Sequence, residues 1–229
     1  MKKGKVAFFL PARSGSERVA NKNTRPFAGI PGGLMQNKMQ QLVATTGIDE
    51  IILSTNDEKC MEIASSFLDD SRVKIIRRPD SLCLGSTDLQ DLIMYVPTVT
   101  DADYIVWGHV TTPLAGAGEY DRGISAFFTK LGEGYDSLVG VRELRNYLLD
   151  GSGRVVNNTT PLPWPRTQDL DPLYLINHTM FIAPRQVYER DRNRLGSHPY
   201  LYVMDEIHSF DIDWEDDFVI AEALYCNLK

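Results

Sequence analysis

Short apolar runs alternate along this chain with segments of helical period, and that alternation limits it to few architectures. Residues 6–10, 50–55, 73–76, 104–107 and 137–141 read as strands. The run EIILST at 50–55 is apolar enough for a strand buried on both faces. Between the runs, residues 33–46 set Met35, Met39, Leu42 and Val43 on one stripe, with Gly47 as the stop. Asn56-Asp57 caps a helix on which Cys60, Ile63, Ala64 and Phe67 align. Ser86 or Thr87 caps another through about Tyr95, with Leu89, Leu92, Ile93 and Val96 inward and Pro97 ending it. A further stripe at 119–131 carries Ile124, Phe127, Phe128 and Leu131. Strand, helix, strand, helix in this order predicts an α/β domain, its sheet mostly parallel.

Residues 142–175 break the pattern. They are rich in Gly, Pro and Asn and have no helical period. A segment this long is rarely an idle connection, so a functional or oligomer-contact role is expected within one domain covering 1–229. The sheet resumes near 177–182, a short helix follows Pro184, strands are predicted at 200–203 and 207–212, and a last helix spans about 215–227.

The net charge of −7 argues against a general nucleic-acid or anionic-membrane binder, but a local basic loop still suffices for a nucleotide. Cys60, Cys83 and Cys226 have neither metal-ligand nor disulfide spacing, so reduced thiols in the cytoplasm are expected. Lys2, Lys3 and Lys5 precede an apolar run too short for a secretory h-region.

A loop leaving the carboxyl end of a parallel strand is where open α/β sheets bind ligands. Here that loop is FLPARSGSERVANKNTRPFAG, residues 9–29. Its small residues let backbone N–H groups turn toward an anion, and Arg13, Arg18 and Lys22 add the charge a triphosphate needs. It has neither the spacing of a Walker phosphate loop nor that of a dinucleotide fingerprint. Near the other end, Asp211-Ile212-Asp213 sets two carboxylates on one face of the strand expected at 207–212. Paired carboxylates repel unless a cation lies between them, and Mg²⁺ suits such a pair, with phosphates and water completing its shell. Glu215, Asp216 and Asp217 instead fit the first turn of the last helix.

Ala12-Arg13-Ser14-Gly15-Ser16 followed by Lys22-Asn23 resembles the N-terminal signature of the acylneuraminate cytidylyltransferases. Asp211-Ile212-Asp213 is similar to that family's Mg²⁺-binding segment. Arg77-Arg78-Pro79-Asp80-Ser81-Leu82 looks like its nucleotide-side Arg-Pro-x-x-Leu, Thr111-Thr112-Pro113-Leu114 like its Thr-Ser-Pro-Leu loop, and Arg166-Thr167-Gln168-Asp169-Leu170 like its Arg-x-Gln-x-Leu, while Asn177 stands where the family opens its sugar-side strand. The matches span nearly the whole chain in the right order.

The resemblance implies a Rossmann-like nucleotidyltransferase fold with helices on both faces of the sheet. It implies Mg²⁺-dependent transfer of CMP from CTP to an acidic α-keto sugar, releasing pyrophosphate. Arg13, Lys22, Asp211 and Asp213 would be catalytic, the two carboxylates holding the metal. Leu10, Ala12, Arg13, Ser14, Gly15, Ser16, Asn23, Arg78, Ser86 and Thr87 would meet the nucleotide. His109, Thr111, Arg166, Gln168 and Asn177 would meet the sugar, with Arg166 as carboxylate partner. A homodimer formed through part of 142–175 is also implied.

The chain departs from the pattern at Glu17, where the family often has a cation, at His109 for a common Gln, at Ala115 for a common Arg and at Gly32-Gly33 for Pro-Leu; Arg145 is the nearest cation to the family lysine after the sixth strand. Several departures fall where the acceptor is read, so a sialic or other nonulosonic acid, a 3-deoxy-octulosonate and a phosphonate all stay open. A non-catalytic nucleotide- or glycan-binding relative is the reading from a different class.

Overall fold

The structure, a computed structural model, describes residues 4–15 and 18–228. Ser16 and Glu17 lie outside the described residues, as do Lys2 and Lys3. In chain order the elements are β1 (Val6–Ala12), α1 (Gly33–Ala44), β2 (Glu50–Thr55), α2 (Glu58–Ser65), β3 (Val73–Arg77), α3 (Leu89–Val99), β4 (Tyr104–Trp107), α4 (Ala117–Leu131), β5 (Ser137–Leu144), β6 (Leu173–Pro184), α5 (Arg185–Asp191), β7 (Pro199–Val203) and α6 (Glu215–Asn227). Among the described residues the strands form one sheet in the order β3-β2-β1-β4-β6-β5-β7. β6 runs antiparallel to β4 and β5, and the other neighbours are parallel.

The alternation along β1 shows how the layers form. Val6, Phe8 and Leu10 enter one core with Leu34, Met35, Met39, Ile124, Phe127 and Phe218, so α1, α4 and α6 cover that face together with α2. Ala7 and Phe9 enter the other core with Ile93, Val96, Val187 and Tyr188, so α3 and α5 cover the opposite face. β1 lies between β2 and β4, and the chain winds away from it in both directions. The crevice at the carboxyl ends of β1 and β4 is therefore the topological switch point.

Four expectations are corrected. α3 runs through Pro97 to Val99, because the Arg185 guanidinium of α5 donates to the Pro97 carbonyl at 2.7 Å and also to that of Thr100, satisfying the helix end. Asp88 caps that helix in place of Ser86 or Thr87, its carboxylate accepting the Gln90 N–H at 2.9 Å. No strand forms at 207–212. The Asp205 carboxylate accepts the N–H groups of Ile207 and His208 and folds the chain into a turn, so those donors are lost to the sheet. Leu89, expected inward, is exposed.

The strand expected at 177–182 starts earlier than that. β6 begins at Leu173 and pairs with the end of β5 before a bulge opposite Gly140. At the bulge His178 takes a left-handed φ of 57°, and a Cβ on Gly140 would stand 2.7 Å from Asn177 Oδ1. Gly33, in the altered loop, has φ +61°, and a Cβ there would meet the Arg25 carbonyl oxygen at 2.0 Å. No helix among the described residues is long and apolar enough to cross a membrane.

Candidate active site

The loop after β1 is braced from below. Arg78, buried, uses Nη2 to donate to the carbonyls of Ala12 at 2.5 Å and Ser54 at 2.6 Å, tying the ends of β1 and β2 together. Burial lowers its pKa from the ordinary arginine value. From the side, the Asn56 Oδ1 accepts the Ser14 N–H at 3.0 Å, and the Asn23 amide reaches the Arg13 carbonyl at 3.4 Å. Leu10 is fully buried, so only its backbone can face a ligand.

The 211–213 segment closes over this loop. Ile212 is fully buried. Its N–H donates to the Thr111 carbonyl at 2.9 Å and its carbonyl accepts from Lys22 Nζ at 2.7 Å, so it is pegged between the loops that follow β4 and β1. Arg18 Nη2 lies 2.7 Å from Asp213 Oδ1 and its guanidinium stands over the Trp214 ring at 5.2 Å. Behind it, the Asp217 carboxylate accepts the N–H groups of Asp213 and Trp214 and caps α6.

Two clefts flank this peg. The first, about 340 Å³, opens between the ends of β1 and β4 and is lined by Arg13, Arg18, Lys22, Asn23, His109 and Thr111. The second, about 290 Å³, is lined by Arg142, Asn177, His178, Phe210, Asp211 and Asp213. Arg18 and Lys22 link the two by holding Asp213 and Ile212.

The charges follow from burial. Burial lowers the Lys22 pKa, with Asp211 and Asp213 opposing the shift. Burial raises the Asp211 carboxyl above its usual range; Asp213 adds to this, while Thr111, His178 and Lys22 oppose it. Asp211 Oδ1 is buried without a hydrogen-bond partner. An orphaned carboxylate oxygen beside a second carboxylate fits a divalent cation. No group of three or more His, Cys, Asp or Glu gathers for a metal among the described residues, so such an ion would complete its shell with phosphate and water.

His109 keeps a small opening onto the first cleft. Its pKa is pushed well below the usual value by burial, then by Arg194 and His178. Trp107 Nε1–H donates to its Nε2 at 3.2 Å, which leaves the proton of the neutral ring on Nδ1. Beneath the loop after β4, fully buried Lys38 donates to the Thr112 carbonyl at 2.8 Å and to the Tyr120 hydroxyl at 2.6 Å. Burial pushes its pKa down to about 7.

The structure thus brings Arg13, Lys22, Asn23, His109, Thr111, Asn177, Asp211 and Asp213 around the paired clefts. Arg166 and Gln168 lie in an exposed turn, and Arg166 is engaged bidentately by Asp169 at 2.8 and 3.0 Å; neither lines the clefts. Ser86 is exposed and Thr87 donates to the Ser81 carbonyl. The sequence reading missed Lys38 and Arg142. Lys38 left a signal, a charged residue inside the Met35–Met39–Leu42 stripe.

A central crevice, a basic loop after the first strand and a carboxylate pair across from it stand together at the switch point of the sheet. Residues 7–224 match the family model described as cytidylyltransferase, and the chain belongs to that family. It is 26% identical over 217 residues to the N-acylneuraminate cytidylyltransferase of Streptococcus agalactiae serotype III, an alignment covering 92% of this chain and 51% of that protein. The chain thus spans about half the length of the first of the curated relatives it matches. It is 22% identical over 225 residues to the pseudaminic acid cytidylyltransferase of Campylobacter jejuni, covering 94% of each. The fold is that of CMP:2-keto-3-deoxy-manno-octonic acid synthetase complexed with CTP, at a TM-score of 0.66 and 13% identity over 98% of this chain and 100% of that one. 4-Diphosphocytidyl-2C-methyl-D-erythritol synthase gives the same TM-score of 0.66 at 10% identity, covering 97% of this chain and 100% of that one.

Proposed function

We propose that this chain transfers CMP from CTP to the anomeric hydroxyl of a nonulosonic acid of the sialic or pseudaminic type, releasing pyrophosphate. The observation that carries the reading is the Ile212 peg, which holds a carboxylate pair against a cation-lined crevice at the switch point. The names of the sequence relatives, N-acylneuraminate and pseudaminic acid cytidylyltransferases, support the acceptor class.

In this reading the hydroxyl oxygen bonds to the α-phosphorus while the bond from that phosphorus to the bridging oxygen of pyrophosphate breaks. Pyrophosphate leaves with the electron pair, and the hydroxyl proton passes to solvent or to the leaving group. Phosphoryl chemistry of this kind asks mainly for positioning and charge balance. Arg13, Lys22 and the N–H groups of the loop after β1 hold the triphosphate, with Ser16 as a further contact. Arg78 fixes the end of β1 beneath them. Asp211 and Asp213 would hold Mg²⁺, which would neutralise charge and make the sugar hydroxyl easier to deprotonate. Neutral His109, with its proton on Nδ1, donates a hydrogen bond without adding charge.

The active form is a homodimer that packs through part of 142–175. Exposed apolar groups there, Trp164 at 71% and Leu162 at 59%, support this. The chain works as one domain in the cytoplasm, where its unpaired cysteines stay reduced.

The test is pyrophosphate release with Mg²⁺ and CTP against N-acetylneuraminate, pseudaminate, legionaminate, 3-deoxy-octulosonate and a phosphonate, with Asp211→Ala as control. Turnover of a nonulosonate, lost in the control, is expected. CTP binding without turnover of any acceptor would leave a nucleotide-binding relative as the better reading. Light scattering should give twice the 25.8 kDa chain mass.

A further inference from the structure

The second cleft contains two buried hydrogen-bond donors with nothing to donate to. Asn177 is 4% exposed. Its Oδ1 accepts the Thr179 N–H at 3.1 Å, but its Nδ2 has no partner. Arg142 Nε is likewise buried and unpartnered. Both side chains line the same cavity, beside the orphaned Asp211 carboxylate. Buried donors are nearly always satisfied in a native protein, so unpartnered ones that converge on a cavity point to a ligand that supplies acceptors.

The fold explains why they converge. Arg142 pairs with Leu175 on β6, just before the bulge that carries Asn177. The bulge exists because the register jumps between Val139 and Val141, and Gly140 leaves room there for the Asn177 amide. The pairing of Arg142 with Glu206 does not fill the guanidinium's capacity. Its N···O distance is 3.8 Å and Glu206 is 82% exposed, a contact of the kind that water screens.

Charge then limits what can enter. Asp211, Asp213 and Asp217 face the same cavity. An anionic ligand needs its own counter-charge there, and among the described residues lining the cavity Arg142 is the arginine that can give it. A planar guanidinium matches a carboxylate through paired N–H bonds. Leu175, Ile176 and Phe210 supply an apolar wall of the sort a sugar ring or an acyl methyl packs on.

We propose that Arg142 is the anchor for the acceptor's carboxylate, with Asn177 Nδ2 donating to a neighbouring oxygen of the same sugar. Arg166, which the family resemblance would put in that role, lines neither cleft. This rests on the acidic-sugar reading above and names how that acid is recognised. The arrangement makes the enzyme selective for a free acid over its ester and leaves CTP recognition in the other cleft.

The test compares wild type with Arg142→Met, Arg142→Lys and Arg166→Ala, using the nonulosonic acid that wild type turns over and its methyl ester. Wild type should favour the acid on the order of 10²-fold in kcat/KM. Arg142→Met should raise the acid's KM on the order of 10²-fold and shrink the preference to a few-fold, with CTP affinity by calorimetry unchanged. Arg142→Lys, which keeps the charge without the fork, should fall between and serves if the Met variant does not fold. Unchanged acid KM and preference in the Arg142 variants, with both lost in Arg166→Ala, would overturn the assignment while leaving the cytidylyltransferase reading intact. Wild type that turns over no acid sugar would overturn both.

Discussion

Lys22 and Ile212, 190 positions apart in the chain, are joined by a 2.7 Å hydrogen bond in which the lysine Nζ donates to the isoleucine carbonyl. The lysine lines the cation-rich cleft while it fixes the segment that bears Asp211 and Asp213. Lys22→Met therefore removes a charge from that cleft and loosens the carboxylate pair together. Steady-state kinetics should show kcat/KM for CTP reduced by about 10²-fold or more, as for loss of one preorganised charged donor.

Asp211→Asn keeps the size of the side chain and removes the charge. Pyrophosphate release should fall on the order of 10³-fold. Binding of Mn²⁺ in the presence of CTP, read by paramagnetic resonance, should weaken by at least about tenfold. Mn²⁺ affinity equal to wild type would mean that the carboxylate pair does not hold the ion.

Lys38 makes stability depend on pH. Its pKa is about 7 in the folded protein against 10.5 ordinarily, because burial penalises the charge. Between those values the unfolded chain binds more protons than the folded one, so stability rises with pH through that window and is lost as pH falls toward 7. The contribution is up to about 1.4 kcal/mol per pH unit from a single site. Urea unfolding between pH 7 and 9 should show this slope in wild type and a smaller one in Lys38→Met, which also forfeits the bonds to Thr112 and Tyr120.

Gly140→Ala puts a methyl 2.7 Å from Asn177 Oδ1, so the amide must turn away and give up the buried Thr179 N–H. Denaturant unfolding should show a loss of about 1–3 kcal/mol, as overpacking costs. Because the displaced group lines the second cleft, KM for the sugar should rise while CTP affinity holds.

The parts of the fold that could be read from sequence are those where one signal dominates. β2 at 50–55, β4 at 104–107 and α6 at 215–227 match residue for residue, because each is a strong apolar run or a well-capped helix with little competing for the backbone. Ile207 to Ile212 alternates as a strand does, yet the Asp205 carboxylate captures the first N–H groups and the segment becomes a turn and a tether. Ser86, Thr87 and Asp88 are all capable caps, and a single sequence does not rank three in a row. At the site, the basic loop and the carboxylate pair were legible as chemistry. Their meeting through Ile212 was not, since it depends on contacts across nearly the whole chain. Arg142 looked like the first residue of an irregular segment, whereas β5 continues through it to Leu144 and sets it in the second cleft.

The Ile212 peg also has a temporal consequence. During synthesis Lys22 emerges 190 positions ahead of the Ile212 carbonyl that it holds. A growing chain can pair β1 with β2 and β4 and still lack half of its crevice. Nucleotide affinity then appears only when the 211–213 segment docks, and a chain ending before Asp211 would carry the basic loop with no wall opposite. Ligand binding and docking of that segment are in this way thermodynamically linked, so on the reading proposed above CTP should stabilise the chain late in folding.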